Sequence, residues 1–250
     1  MKAIISDIHS NLGALEAVLS DIRAKDIREI ICLGDVVGYG PEPEACIDLL
    51  KDLKIVLLGN HDEAVLLGEA EDFNTRARRA VEWTRKRLND GIQHDAIKME
   101  RWNFLERMAS VHEDGRVMYI HGSPRNPTKE YVLPWSVNDH EKMKDIFLRI
   151  PGICFGGHTH LPGVFTESFE FFSPSDLHNV YVVEPGQKAF VNVGSVGQPR
   201  DGDTRSCYVT FDGETIVWRR VEYDIEKTAQ KIYAVDELDN TLGDRLKKGR

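Results

Sequence analysis

Seven side chains with oxygen or nitrogen donors recur in short strings: Asp7 and His9 in SDIHSN, Asp35 in GDVVGYGP, Asn60 in GNHD, His121 in HGSPR, His158 and His160 in GGHTH. Carboxylate, imidazole and amide together, with no thiolate, suit borderline or hard divalent cations such as Mn²⁺, Fe²⁺, Co²⁺, Ni²⁺ or Zn²⁺. Manganese or iron is the ion expected in a cell, where selectivity follows availability as much as affinity. Asp7 and His9 lie two apart at the end of an extended segment, a spacing that turns both side chains to one side. His158 and His160 repeat it. Glycines beside Asp35, Asn60 and His121 let backbone approach an ion closely. Singly, each string fits a turn equally well; in ordered combination they describe a metal centre.

Something must bring these strings together. Over the first 60 residues, apolar runs at Lys2 to Ser6, Glu29 to Leu33 and Ile55 to Leu58 alternate with helical patterns at Leu12 to Ala24 and Glu44 to Leu53. That order predicts a β-α-β-α-β unit in a parallel sheet, whose site loops gather at the carboxyl ends of the strands. Residues 74 to 110 read as helical, with Ala77, Ala80, Val81, Thr84 and Leu88 on one side and a second segment around Trp102, Leu105 and Met108. Strands resume at Val117 to Ile120, followed by a Pro-rich loop, a helix from about Val137 to Leu148, and a short apolar run before GGHTH. From Gly163 onward the pattern predicts a β-meander: Val164 to Thr166, Tyr181 to Val183, Ala189 to Val193, Cys207 to Phe211 and Thr215 to Val221. Residues 1–222 form the expected domain, and the charged, helix-prone tail over 223–250 either packs against it or frays.

With 250 residues the chain can bury a large core without disulfides. Cys32, Cys46, Cys154 and Cys207 are far apart and are read as reduced. The sequence starts directly into a strand pattern and has no apolar run near the length of a membrane span, so a cytoplasmic location off the membrane is expected. Its 41 acidic residues against 32 Lys and Arg give a formal charge of -9, which opposes general attraction to nucleic acid. Bound cations would reverse that sign locally.

The order DIH, GD, GNHD, a later lone histidine and GHTH resembles the calcineurin-like metallophosphoesterase family, from Asp7 to about Gly202. The resemblance implies an α/β fold, a four-layer α/β/β/α sandwich of two mixed sheets flanked by helices. It also implies two divalent metal ions, one held by Asp7, His9, Asp35 and His160, the other by Asp35, Asn60, His121 and His158, with Asp35 bridging. Such a pair, about 3.5 to 4 Å apart, deprotonates a shared water and clamps the attacking and leaving oxygens of an in-line displacement at phosphorus. His61 would serve as general acid or oxyanion stabiliser at the leaving group. Asp62 would orient its ring or cap the following helix.

The match departs from the protein Ser/Thr phosphatase branch, where the motif continues as GDxVDRG. Gly38 and Tyr39 stand where that branch has its Asp and Arg, so another cation must grip phosphate. Arg125, beyond His121, and Arg200, in the glycine-rich NVGSVGQPRDGD loop, are the candidates, with Arg205 weaker. Tyr39 is either a substrate wall or packing. Arg76, Arg78, Arg79, Arg85, Lys86 and Arg87 with Trp83 fit an amphipathic helix with a basic solvated face better than a polyanion site. The expected activity is hydrolysis of a phosphomonoester or phosphodiester in a nucleotide or other small metabolite. A non-catalytic protein scaffold and a nuclease are the alternatives.

Overall fold

A computed structural model describes residues 1–250. Its first strand, β1 (Lys2–Ile5), shows how the layers arise: Ala3 and Ile5 face one apolar core and Ile4 another, because side chains alternate along a strand. The chain then runs through α1 (Leu12–Ala24), β2 (Glu29–Cys32), α2 (Pro43–Leu50), β3 (Ile55–Val56), α3 (Asn60–Leu67), α4 (Thr75–Asn89) and α5 (Ala96–Glu106). Next come β4 (Val111–Asp114), β5 (Val117–Ile120), α6 (His140–Arg149), β6 (Ile153–Gly156), β7 (Gly163–Thr166) and β8 (Phe171–Phe172). The last elements are β9 (Val180–Val182), β10 (Ala189–Asn192), β11 (Ser206–Phe211), β12 (Thr215–Val221), α7 (Ile225–Tyr233) and α8 (Thr241–Leu246).

Two six-stranded mixed sheets result, ordered β3-β2-β1-β11-β12-β9 and β4-β5-β6-β10-β7-β8. Ile4, Ile31, Tyr119, Phe155, Val191, Val209 and Trp218 fill the space between them. Leu15, Val18 and Ile22 of α1 join Ala3, Ile5 and Tyr208 on the outer face of the first sheet. Met143, Ile146 and Phe147 of α6 join Met118, Cys154 and Phe190 on the outer face of the second. The order is therefore helix, sheet, sheet, helix, as expected. No helix is long and apolar enough to cross a membrane.

The expected meander is not found. Strands β7, β8 and β10 belong to the second sheet and β9, β11 and β12 to the first. β10 runs parallel to β6 and antiparallel to β7, so it inserts between two strands that precede it. Alternation along a strand says which residues share a face and cannot say which sheet the strand joins. Strand β4, VHED, carries no apolar signal and lies at an edge.

Parallel pairing of β1 with β2 and β2 with β3 in the first sheet, and of β5 with β6 and β6 with β10 in the second, points three carboxyl ends in a common direction within each sheet. The tail is docked rather than frayed: Ile232, Leu238, Leu242 and Leu246 pack against Ala77 and Ala80 of α4 and against Tyr39. Leu242 is 1% exposed, so Leu242→Ala is expected to cost about 2 to 4 kcal/mol in urea unfolding, as for other buried leucines. An unchanged unfolding midpoint would mean that the tail contributes nothing to stability.

Candidate metal centre

The seven donors follow the ends of five strands: Asp7 and His9 after β1, Asp35 after β2, Asn60 after β3, His121 after β5, His158 and His160 after β6. All are buried, Asn60 being the most open at 8% exposed. Asp7, His9, Asp35, His158 and His160 have φ of 55°, 50°, 50°, 66° and 60°. That left-handed region costs a non-glycine residue on the order of 1 kcal/mol or more, and it concentrates at functional sites. The extended geometry expected for the Asp-x-His and His-x-His pairs is therefore corrected. Both pairs lie beyond their strands, and local left-handed turns aim their side chains.

Each aspartate divides its two oxygens between scaffold and cleft. Asp7 Oδ2 accepts the His158 backbone N–H at 3.0 Å, and Asp35 Oδ1 accepts that of His61 at 2.8 Å. Asp7 Oδ1 lies 3.1 Å from His160 Nε2 and 3.8 Å from His9 Nε2, yet makes no aligned hydrogen bond. Asp35 Oδ2 lies 3.6 Å from His9 Nε2 and 3.4 Å from His121 Nε2, which is itself 3.2 Å from Asn60 Oδ1. One donor group is Asp7, His9 and His160; another is Asp35, His121 and His158. Asp35 Oδ2 stands between them.

Outer contacts decide which ring nitrogen faces inward. His9 Nδ1 is 3.3 Å from Val37 O, His160 Nδ1 is 2.5 Å from Gln198 O, and His158 Nε2 is 3.1 Å from Lys129 O. A ring N–H donated outward to a carbonyl leaves the other nitrogen's lone pair for a metal. His9 Nε2 and His160 Nε2 then meet at 3.1 Å as two lone pairs, an arrangement that a cation relieves. Burial holds His158 at about 3 and pushes His9 and His160 below the usual imidazole range. Burial also pushes His121 down, but the Asp35 charge and hydrogen bond, aided by Asp7, lift it to about 9. Burial would raise both aspartates; His160 holds Asp7 low and His121 with His61 hold Asp35 low. The donor chemistry and the unpartnered Asp7 Oδ1 fit divalent cations.

His61 lies beside this cluster, its ring 4.9 Å from His9, 4.4 Å from Tyr39 and 4.8 Å from Phe73. Burial brings it down to about 4 against the pull of Asp35. Its Nδ1 has no hydrogen-bond partner, and a Cβ on Gly38 would fall 2.6 Å from that atom. The ring thus packs on glycine where the protein phosphatase branch places an acid. Asp62 does not bond to the His61 ring. It accepts the backbone N–H of Val36, Val37 and Gly59 at 3.3, 3.0 and 3.1 Å, capping α3 and tying the GDVV loop to GNHD. Burial, with the Asp35 charge, raises its carboxyl to about 7.

Tyr39 is buried beside the donors, its ring 4.7 Å from the His9 ring and 5.9 Å from the Arg200 guanidinium. Arg200 donates to Gln198 Oε1 at 2.9 Å and keeps a buried Nε without a partner. Arg125, by contrast, is neutralised by Glu130 at 3.5 Å and Asp145 at 3.6 Å, so it is set aside as a phosphate contact. Arg205 is likewise paired, with Asp203 at 2.7 Å. In the basic helix, Arg78 and Arg85 bond backbone carbonyls, Arg87 pairs with Glu44 and covers Trp83, and Arg76 pairs with Asp239. Those four cations are engaged in packing. Sequence reasoning missed Tyr131, whose ring stacks on His158 at 3.8 Å and remains 46% exposed. A lone tyrosine in a Pro-rich loop gave no signal.

A model of the calcineurin-like phosphoesterase superfamily domain matches residues 1–215. The chain belongs to that superfamily. Membership places its chemistry among phosphoesterases, a metal-dependent family, and the buried His and Asp groups could hold a metal ion. An uncharacterized protein of Methanocaldococcus jannaschii is 40% identical over 261 residues, covering 100% of this chain and 98% of the relative. The solved metallophosphoesterase of Sphaerobacter thermophilus is 36% identical with a TM-score of 0.79, covering 100% of this chain and 98% of that one. A hypothetical protein of Pyrococcus horikoshii, 17% identical, shares the fold at a TM-score of 0.72, covering 100% and 99%.

The cluster tolerates no added bulk at Gly157, where a Cβ would fall 2.1 Å from Ser6 Oγ and 2.5 Å from Asp7 Oδ2. Gly157→Ala is expected to weaken divalent-cation binding about tenfold or more and to lower the melting temperature by several degrees. Titration calorimetry and a thermal melt check it; wild-type values in both would show that Asp7 is held from elsewhere.

Proposed function

We propose that this chain hydrolyses a phosphomonoester or phosphodiester bond in a small phosphorylated metabolite such as a nucleotide, using two divalent cations at the seven-donor cluster. The observation that carries the reading is Asp35 Oδ2, 3.6 Å from His9 Nε2 and 3.4 Å from His121 Nε2. One carboxylate oxygen facing two donor groups suits a bridge between two ions. Asp7, His9 and His160 would complete one site, and Asn60, His121 and His158 the other. When bound, two divalent ions supply Lewis acidity at the phosphoryl oxygens and a nucleophile at neutral pH.

The chain's own residues do the rest. The carbonyls of Val37, Gln198 and Lys129 fix the tautomers of His9, His160 and His158. His61 stands at the edge of the donors and would donate a ring N–H to the developing charge on the leaving oxygen. Arg200 would grip a non-bridging phosphoryl oxygen through its unpartnered Nε. Tyr39 and Tyr131 would bound the cleft and limit water. The complete donor set together with His61 favours this reading over a scaffold.

Asp35→Asn is expected to abolish turnover of p-nitrophenyl phosphate and bis-p-nitrophenyl phosphate, and His61→Ala to lower kcat by about 10² to 10⁴. Chelator treatment should remove activity and manganese restore it. Full activity in the chelated protein, or in Asp35→Asn, would overturn the proposal.

A further inference from the structure

Two tyrosines touch the donor cluster, and they differ in what covers them. Tyr39 packs against the His9 and His61 rings and is 7% exposed. Tyr131 stacks on the His158 ring, with centroids 3.8 Å apart and planes 26° from parallel, and is 46% exposed. His158 in turn lies 4.9 Å from the His121 ring, and both histidines are buried. Rings thus run outward from two donors to Tyr131, which carries the series to solvent. One face of Tyr131 is covered by His158, so its exposed area belongs to the other face and the edges.

The main chain on both sides holds that ring in place. Lys129 O lies 3.1 Å from His158 Nε2, and Lys129 Nζ pairs with Glu63 of α3 at 3.0 Å. Val132 is 2% exposed and belongs to the apolar cluster of Met143 and Ile146 of α6. Between them, Tyr131 O accepts a hydrogen bond from Lys142 Nζ at 2.6 Å. A tyrosine fixed half-open loses little further freedom on meeting a flat partner, because its side chain has only two rotatable angles. Offset stacking of two rings is also worth more than burial of the same area.

We infer that Tyr131 is a stacking platform for the base of a nucleotide substrate whose phosphoryl group lies at the donor cluster. The inference deepens the proposed function and rests on it. A ring stacked on the outer face of Tyr131 lies roughly 8 Å from the His158 ring, one stacking step beyond the observed pair. The sugar between base and phosphate spans such a distance. Every base has a π-face, so the platform favours nucleotides over sugar or alkyl phosphates without choosing among bases. Tyr131 is a specificity residue and takes no part in bond breaking.

Calorimetry on the full-length protein, loaded with manganese as the probe metal, tests this with two ligands that cannot be hydrolysed. They are the phosphonate isosteres of adenosine monophosphate and of methyl ribofuranoside phosphate, which differ only in adenine against methoxyl. Wild type should bind the adenosine isostere about tenfold tighter, the order expected for one stacked base. Tyr131→Leu should bring the ratio of the two affinities close to one, whereas Tyr131→Phe and Tyr131→Trp should keep it. The ratio separates stacking from a structural role, because a tyrosine that only steadies His158 would alter both affinities alike. Thermal melts and manganese content establish that the variants are folded and loaded. A ratio undiminished in Tyr131→Leu, lost in both aromatic variants, or absent from wild type overturns the platform. If p-nitrophenyl phosphate is still hydrolysed in that case, the phosphoesterase reading stands without it. A Tyr131-dependent ratio in a protein that hydrolyses no ester would support the platform and remove the activity.

Discussion

Asp35 is almost wholly buried, and its two oxygens do different work. One accepts the His61 backbone N–H at 2.8 Å, and the other faces His9 and His121. A carboxylate so placed, with Asp7 close enough to raise its energy further, is tolerable only where positive charge compensates it. Much of the surrounding structure serves that requirement. Inward lone pairs on His9, His158 and His160 are fixed by outward bonds to carbonyls, and the β1 and β6 loops are locked by the His158 N–H on Asp7 Oδ2. Asp62 binds the β2 and β3 loops with three backbone N–H groups.

The fold makes this possible by topology. Strands running in parallel deliver their loops to one end, and two sheets packed face to face bring two such ends together. Five donors held at positive φ carry local strain that the packed layers must offset. The core between the sheets, with Tyr119, Phe155, Trp218 and their neighbours, is the rigid support for that strain.

The β-α-β-α-β start was legible in the amino-acid sequence, because strand ends marked by glycine and polar strings carry local signals; the four layers followed from the family resemblance, and the seven polar residues singled out do lie close together. The limits of the sequence lie where geometry depends on distant partners. Asp-x-His reads as alternation along a strand, yet φ near 50° at Asp7 and His9 is imposed by hydrogen bonds to the β2 loop: Asp7 N–H to Gly34 O and His9 N–H to Asp35 O. The division of β7 to β12 between two sheets is likewise non-local. Asp62 sits beside His61 in sequence and is directed elsewhere in space. The glycine-rich loop only slightly favours Arg200 over Arg125 in the sequence, and the positions of Glu130 and Asp145 beside Arg125 are not legible there.

The most direct test of Asp35 as the bridge is anomalous diffraction from crystals of the manganese-loaded protein. Two anomalous peaks about 3.5 to 4 Å apart, one on each side of the Asp35 carboxylate, are the expected result. A single peak away from Asp35, or none at full manganese saturation, would contradict it.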